Sequence, residues 1–228
     1  MILGIETSAK LCSIAFGYES HTVLEYNLEV PMQHAVLLGQ FVELGVRFIQ
    51  TSPDIPEADK NAIDLAVVAI GPGSFTGLRI GLSYAQGFCF GRKIPIVGIS
   101  NHQLLAWRGP AGVNTVYTII DARREEVYLA RLDITKEGYP QLSEHALVPK
   151  ESLPDKLPEG SVLIRNEQVV LADETVKKIQ SEKQCVLLRV RGTAADLLKL
   201  GNLKRQVEGP DDLSKLEPLY IRPFAGVL

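Results

Sequence analysis

Apolar positions along this chain change period several times. Residues 2–7 form a short apolar run that ends in Thr-Ser, and residues 12–16 continue apolar and small; both predict buried strands. Residues 22–30 alternate, with Val23, Leu24, Tyr26, Leu28 and Val30 apolar and Pro31 closing the run, which predicts a third strand. Three strands joined by such short turns predict an antiparallel meander. Residues 33–50 then switch to a helical period, and 54–61 read as a polar loop containing proline. Residues 64–70 are almost wholly apolar (Leu65, Ala66, Val67, Val68, Ala69, Ile70), as expected of a strand covered on both faces. Gly71-Pro72-Gly73-Ser74 is a turn opening a helix over 75–91, and 95–99 is another short buried strand.

This order, three hairpin strands, helix, strand, helix, strand, is the plan of a ribonuclease H-like layer, the unit of actin-like ATPase folds. That is a fold-level analogy and carries no function by itself. A weak repeat of the plan begins near Ala111. It predicts strands at 116–120, 126–132 and 141–148, a helical turn at 151–157, a strand at 161–164, a helix at 168–179, a strand at 186–188 and a helix at 193–207. The Pro-punctuated tail, 211–228, is expected to dock as an extended segment.

Composition narrows the class. Apolar residues make 46% of the 228 and charged residues 22%, ordinary globular usage that argues against disorder. Lys plus Arg is 24 and Asp plus Glu is 27, so the net charge is 24 − 27 = −3, and the chain is no polycation built to coat nucleic acid. The small basic pairs Arg123-Arg124, Lys177-Lys178 and Lys204-Arg205 are diluted by acids and read as solvated surface. Cys12, Cys89 and Cys185 lie far apart, with no C-x-x-C and no disulfide framework, which fits a reducing cytoplasm. The N-terminal run stops at Glu6 without a basic flank, unlike a signal peptide, and no apolar stretch reaches the ~20 residues of a membrane span.

Two strand ends could carry chemistry. Backbone N–H groups in Gly71-Pro72-Gly73-Ser74-Phe75-Thr76-Gly77 could cradle a phosphate at the helix start; the bland reading is a tight strand-to-helix turn. The loop lacks the Gly-Lys-Ser/Thr of a Walker loop, and Gly77 falls one place late for G-x-G-x-x-G. Glu6-Thr7-Ser8 could organise metal and phosphate, or simply end a strand in a polar turn; no second carboxylate follows in Ala9-Lys10-Leu11. Glu6, Thr7, Ser8, Gly71, Gly73 and Ser74 are therefore the candidate nucleotide-binding residues. His21, His34, His102 and His145 show no ligand spacing, so neither a metal nor a catalytic residue is assigned.

The stronger signal lies in two helices. Leu37, Leu38, Phe41, Val42, Leu44, Val46, Phe48 and Ile49 cover roughly 200° of the first helix, twice the ~100° that one core needs. In the second, Ser83, Gly87 and Gly91 recur every four residues beside Ile80 and Tyr84. Helical glycine costs ~1 kcal/mol against alanine, so either this chain's own sheet or a partner helix must approach closely there. The expected partner interface is Leu37, Leu38, Phe41, Val42, Gly45, Phe48 and Ile49 with Ile80, Ser83, Tyr84, Gly87 and Gly91. Glu or Arg at Leu38 or Val42 should then abolish complex formation without unfolding the monomer.

These residues also carry a resemblance. The stretch 71–81, Gly-Pro-Gly-Ser-Phe-Thr-Gly-Leu-Arg-Ile-Gly, resembles the hallmark of the TsaB (YeaZ) family. So do Ile5-Glu6-Thr7-Ser8, Gln33-His34, Ile120-Asp121-Ala122-Arg123, Glu125-Glu126-Val127-Tyr128 and Pro218-Leu219-Tyr220-Ile221-Arg222, in family order across residues 2–222. The resemblance implies an α/β chain of two ribonuclease H-like subdomains of the actin-like ATPase superfamily, 1–100 with the partner-binding helices and 101–228 degenerate. It implies a non-catalytic cytoplasmic subunit in threonylcarbamoyl modification of the tRNA adenosine beside the anticodon. Such a subunit binds the transferase TsaD as a heterodimer through the two N-terminal helices and works with the ATPase TsaE. Its tRNA contact runs only through the complex, and the same helices can make a homodimer. No cofactor is assigned to the chain alone; ATP or ADP is left for the complex. The paralogue TsaD continues its opening Glu-Thr-Ser with Cys-Asp-Glu, where this chain has Ala9-Lys10-Leu11. Asn101-His102 resembles half of the TsaD metal motif, but Ala106 stands at the second ligand's place. The alternative is an actin-like ATPase or small-molecule kinase using Glu6, Thr7 and the Gly71–Gly77 loop.

Overall fold

A computed structural model describes residues 1–29 and 33–221. It divides into two compact units, one of 1–100 with 193–218, the other of 101–192 with the segment from 219 onward.

The first unit holds β1 (Ile2–Glu6), β2 (Cys12–Gly17), β3 (Thr22–Leu28), α1 (His34–Thr51), β4 (Leu65–Gly71), α2 (Phe75–Arg92), β5 (Ile96–Ser100) and α5 (Ala194–Glu208). The second holds α3 (Asn101–Trp107), β6 (Thr115–Arg123), β7 (Glu126–Ile134), β8 (Pro140–Pro149), β9 (Val162–Asn166), α4 (Asp173–Lys177) and β10 (Val186–Val190). The sheet orders are β3-β2-β1-β4-β5 and β8-β7-β6-β9-β10. In each, the first strand runs antiparallel to the second and parallel to the fourth. Both are ribonuclease H-like layers, so the repeat sensed near Ala111 is real.

Burial explains the strand patterns. Every residue of β1, β2 and β5 is buried, because helices cover both faces of the first sheet. Leu3, Ile5, Ile14, Phe16, Ala66 and Val68 share one core with Leu38, Val42 and Ile49 of α1 and Leu82, Ala85 and Phe88 of α2. The opposite face receives α5. There, Cβ atoms added at Gly4 and Gly201 would stand 2.5 Å from the Ala194 carbonyl oxygen and 2.3 Å from Val67 Cγ2, so no side chain fits between helix and sheet. A Thr193/Asp196 capping box starts α5, and the Ala194 amide donates to Ser13 Oγ at 2.8 Å.

Several expectations change. The second subdomain was expected to run through 228, but 193–218 belongs to the first unit, because Ala194, Leu197, Leu198 and Leu200 are buried where α5 meets that sheet. The helix expected at 168–179 shortens to α4, extended by a π turn at Lys178–Glu182, while 168–172 stays irregular. The turn at 151–157 is a 3₁₀ helix, Lys150–Lys156. The short helix α3 was not expected. The third strand ends at Leu28; Val30, Pro31 and the end of the tail, Arg222 included, lie outside the described residues. Before that end, Asp211 bridges to Ile96 on the β5 edge and the Asp212 carboxylate accepts from Ser214.

Candidate functional site

The strand-end cluster assembles as expected, but its polar groups serve one another. Glu6, Thr7 and Ser8 are all buried. The Glu6 carboxylate accepts from both the amide and the hydroxyl of Ser8 at 2.5 Å. Thr7 Oγ1 donates to the Gly77 carbonyl at 2.8 Å. In the glycine loop, which begins with a cis Gly71–Pro72 bond, the Ser74 amide donates to the Ser8 carbonyl at 2.7 Å. The Gly77 amide donates to Ser74 Oγ at 3.2 Å, which caps α2. Two amides of the expected phosphate cradle are thus committed within the chain.

The glycines answer a steric need. A Cβ at Gly73 would lie 2.6 Å from the Ser8 carbonyl oxygen, at Gly77 2.0 Å from that of Thr7, and at Gly81 2.2 Å from Thr7 Oγ1. The α2 start presses onto the end of β1, and only glycine permits it. Gly77→Ala is expected to lower unfolding free energy by about 3 kcal/mol, the upper range for overpacking, read as a reduced urea midpoint at unchanged slope. The Gly71–Gly77 motif therefore reads as a packing device. Beside it, burial and then the Glu6 charge push the Cys12 thiol up to about 11, and burial does the same at Cys89, so neither is a nucleophile at neutral pH.

His102 is also structural. It is fully buried, with Nδ1 paired to Thr118 Oγ1 at 2.7 Å. Among the described residues no three His, Cys, Asp or Glu side chains stand together to hold a metal, so a TsaD-type ligand set is not assembled there.

The two-helix surface is more informative, and it needs a correction of face. Leu38, Val42, Gly45 and Ile49 were expected to meet a partner but point into this chain's own core; Leu38 and Val42 are each 1% exposed. A Cβ at Gly45 would lie 2.2 Å from the Phe16 ring. Glu or Arg at Leu38 or Val42 would therefore unfold the unit, contrary to expectation. Leu37 and Phe41 are half-buried, Phe41 beside the Tyr26 ring at 5.1 Å. Facing outward on α1 are Val36, Leu44 and Phe48, spaced by eight and four residues.

On α2 the expected stripe does face out. Ser83, Gly87 and Gly91 are exposed, and Ile80 and Tyr84 are half-buried. A Cβ at Gly87 or Gly91 would meet nothing within 4 Å. Close packing within the chain therefore does not explain these glycines. Phe90, 78% exposed between them, was missed. Its signal was present, since it lies three residues after Gly87 and seven after Ser83 on the same helical face. Phe75 is exposed as well, with the Arg79 guanidinium 3.8 Å from its ring centre. The helices adjoin at Gly39, where a Cβ would stand 3.5 Å from the Tyr84 ring. The result is one outward face, aliphatic and aromatic on α1 and smooth at the α2 glycines.

Comparison with known proteins points the same way. The family profile of TsaD, tRNA N6-adenosine threonylcarbamoyltransferase, matches residues 52–190. The chain is 34% identical to the tRNA threonylcarbamoyladenosine biosynthesis protein TsaB of Escherichia coli over 140 residues, 60% of this chain and 57% of that one. It is 34% identical to TsaB of Bacillus subtilis over 127 residues, 56% of this chain and 52% of that one. The chain thus spans little more than half the length of these curated relatives. The solved structure of YeaZ from Pseudomonas aeruginosa superposes with a TM-score of 0.73 at 24% identity, covering 96% of this chain and 98% of that one, and so shares the fold.

Proposed function

Because the chain belongs to the TsaD-type threonylcarbamoyltransferase family, on its TsaB (YeaZ) branch, we propose that it is a non-catalytic subunit in tRNA threonylcarbamoyladenosine biosynthesis. In this reading the outward face of α1 and α2 docks on TsaD, and TsaE joins the assembly. The observation that carries it is the pair of α2 glycines that nothing in the chain packs against. Exposed helical glycine is a local cost of ~1 kcal/mol, which a closely approaching partner backbone offsets. The exposed Val36, Leu44, Phe48 and Phe90 add the apolar anchors that such an interface uses.

The non-catalytic assignment is supported by the strand-end chemistry. The Glu6 carboxylate is buried on Ser8, and Lys10 stands where the paralogue keeps an acid. An ATPase or kinase reading finds no open acid at this position. Nucleotide, if required, is then supplied to the complex, and tRNA is met through it. In the absence of TsaD the same apolar face favours a homodimer. No helix is long and apolar enough to cross a membrane.

Reconstitution tests the proposal. TsaD and TsaE are incubated with threonylcarbamoyl-adenylate and unmodified tRNA, with and without this chain. Modified adenosine that depends on the chain, together with no ATP turnover by the chain alone, is the expected result. Equal product without it, or ATP hydrolysis by the isolated chain that Glu6→Ala removes, would sink the proposal.

A further inference from the structure

The carboxyl ends of β9 and β10 hold a charge imbalance that the partner-docking face does not explain. Arg165 of β9 lies directly opposite Arg189 of β10 in the parallel ladder, with Ile119 of β6 on its other side. Paired positions place both side chains on one face of the sheet, and Arg191, two residues beyond Arg189, returns to that face. Like charges directly opposed in a ladder are destabilising, so this arrangement calls for a counter-charge.

The chain supplies one carboxylate. Arg191 Nε and Nη2 both donate to Glu167 Oε2, at 2.7 and 2.6 Å. Arg165 Nη1 donates to the Val169 carbonyl at 2.9 Å, and Arg189 Nη2 donates to the Glu167 carbonyl at 3.1 Å. These bonds fasten the loop after β9, but carbonyls carry no net charge. Three guanidinium groups and one carboxylate leave 3 − 1 = +2. Arg165 Nε is buried and has no hydrogen-bond partner. The nearest helical acid in sequence is engaged elsewhere, since Glu174 pairs with Lys178 at 3.0 Å.

We propose that this edge of the second unit binds a phosphomonoester dianion. Its charge of about −2 matches the surplus, and planar guanidinium donors bind phosphate oxygens in pairs. The place fits too, because open α/β sheets bind ligands outside the carboxyl ends of their parallel strands. Arg189 and Arg191 are exposed at the rim, while Arg165 sits deeper. This site is independent of the α1/α2 docking face.

The test is calorimetric titration of the full chain with inorganic phosphate, with AMP, and with adenosine as the uncharged control. Saturable binding of phosphate and AMP at one shared site, with none of adenosine, is expected. Phosphate bound without competition from AMP marks an inorganic-ion site and overturns the phosphomonoester assignment. Arg189→Gln with Arg191→Gln should weaken binding by roughly tenfold or more, while thermal melting confirms the fold. Glu167→Gln should tighten it severalfold, because it frees Arg191 and raises the net charge. No saturable binding in the wild type, unchanged affinity in the double variant, or a Glu167→Gln variant that weakens binding would overturn the assignment, the last by showing the cluster to be only a loop fastening.

Discussion

A Leu44→Glu, Phe90→Glu double variant is expected to stay folded and to lose affinity for TsaD by about a thousandfold. Both residues are exposed in the isolated chain, Leu44 by 50% and Phe90 by 78%, so charge there leaves the core intact. Surface changes of this kind usually move stability by no more than about 0.5 kcal/mol. In a complex they become buried, unpaired carboxylates at the centre of an apolar contact. Interface anchors cost about 2 kcal/mol or more each, and two of them give about 4 kcal/mol, or roughly three decades in Kd. Leu38→Glu is the internal contrast. Leu38 sits among Phe16, Val42 and their neighbours in the sheet core, so this variant loses both the fold and the partner. Circular dichroism on each variant, followed by surface plasmon resonance against TsaD, separates the two outcomes. Retention of full affinity by the double variant would show that the exposed face is not the contact.

Acid should destabilise the second unit well before its carboxylates protonate. His102 is fully buried against Thr118, and burial, followed by the His145 charge, depresses its pKa to about 3 from 6.5. The folded state therefore holds the ring neutral where the unfolded chain protonates it. Stability from this group is complete above pH 6.5 and is lost as pH falls toward 3. The slope between those limits is about 1.4 kcal/mol per pH unit, so pH 4.5 removes roughly 2–3 kcal/mol relative to pH 7. Asp133 adds a loss with the same sign, since Ser143 and Thr115 hydroxyls hold its carboxyl below the usual range. That part sets in at lower pH. His102→Asn keeps a side-chain partner for Thr118 without a titrating ring. Urea midpoints at pH 7 and 4.5 should differ markedly in the wild type and much less in the variant. Equal pH sensitivity of the two would rule out His102 as the source.

The sequence disclosed the layers better than it disclosed their faces. All ten strands were anticipated, because buried strands are short apolar runs and their turns carry glycine, proline or polar residues. The α1 wheel was too apolar to show which side faced the sheet. Leu38 and Phe48 look alike in a period count, and only the Gly45–Phe16 contact fixes the rotation. In α2 the glycines at 77 and 81 and those at 87 and 91 look equivalent in sequence. The first pair meets Thr7, and the second meets nothing. The arginines at 165, 189 and 191 were not singled out, because their opposition depends on a register between strands twenty-four residues apart, Arg165 with Arg189. The short α4 was overcalled where Val169 and Leu171 pack as loop residues in the second core.

The return of α5 to the first sheet has a consequence for synthesis. A ribosome releases the strands of the first unit long before the helix that covers one of their two faces. Until residues 194–208 emerge, the backbone at Gly4 and the Val67 side chain have no α5 against them. The strands and helices of the second unit, by contrast, all lie within the uninterrupted stretch 101–192. The half made later can thus finish first, while the half made earlier waits with one apolar side bare, the condition in which nascent chains recruit chaperones. A chain stalled near residue 192 carries a closed second unit and an open first one, and proteolysis of such stalled chains should cut the N-terminal half preferentially.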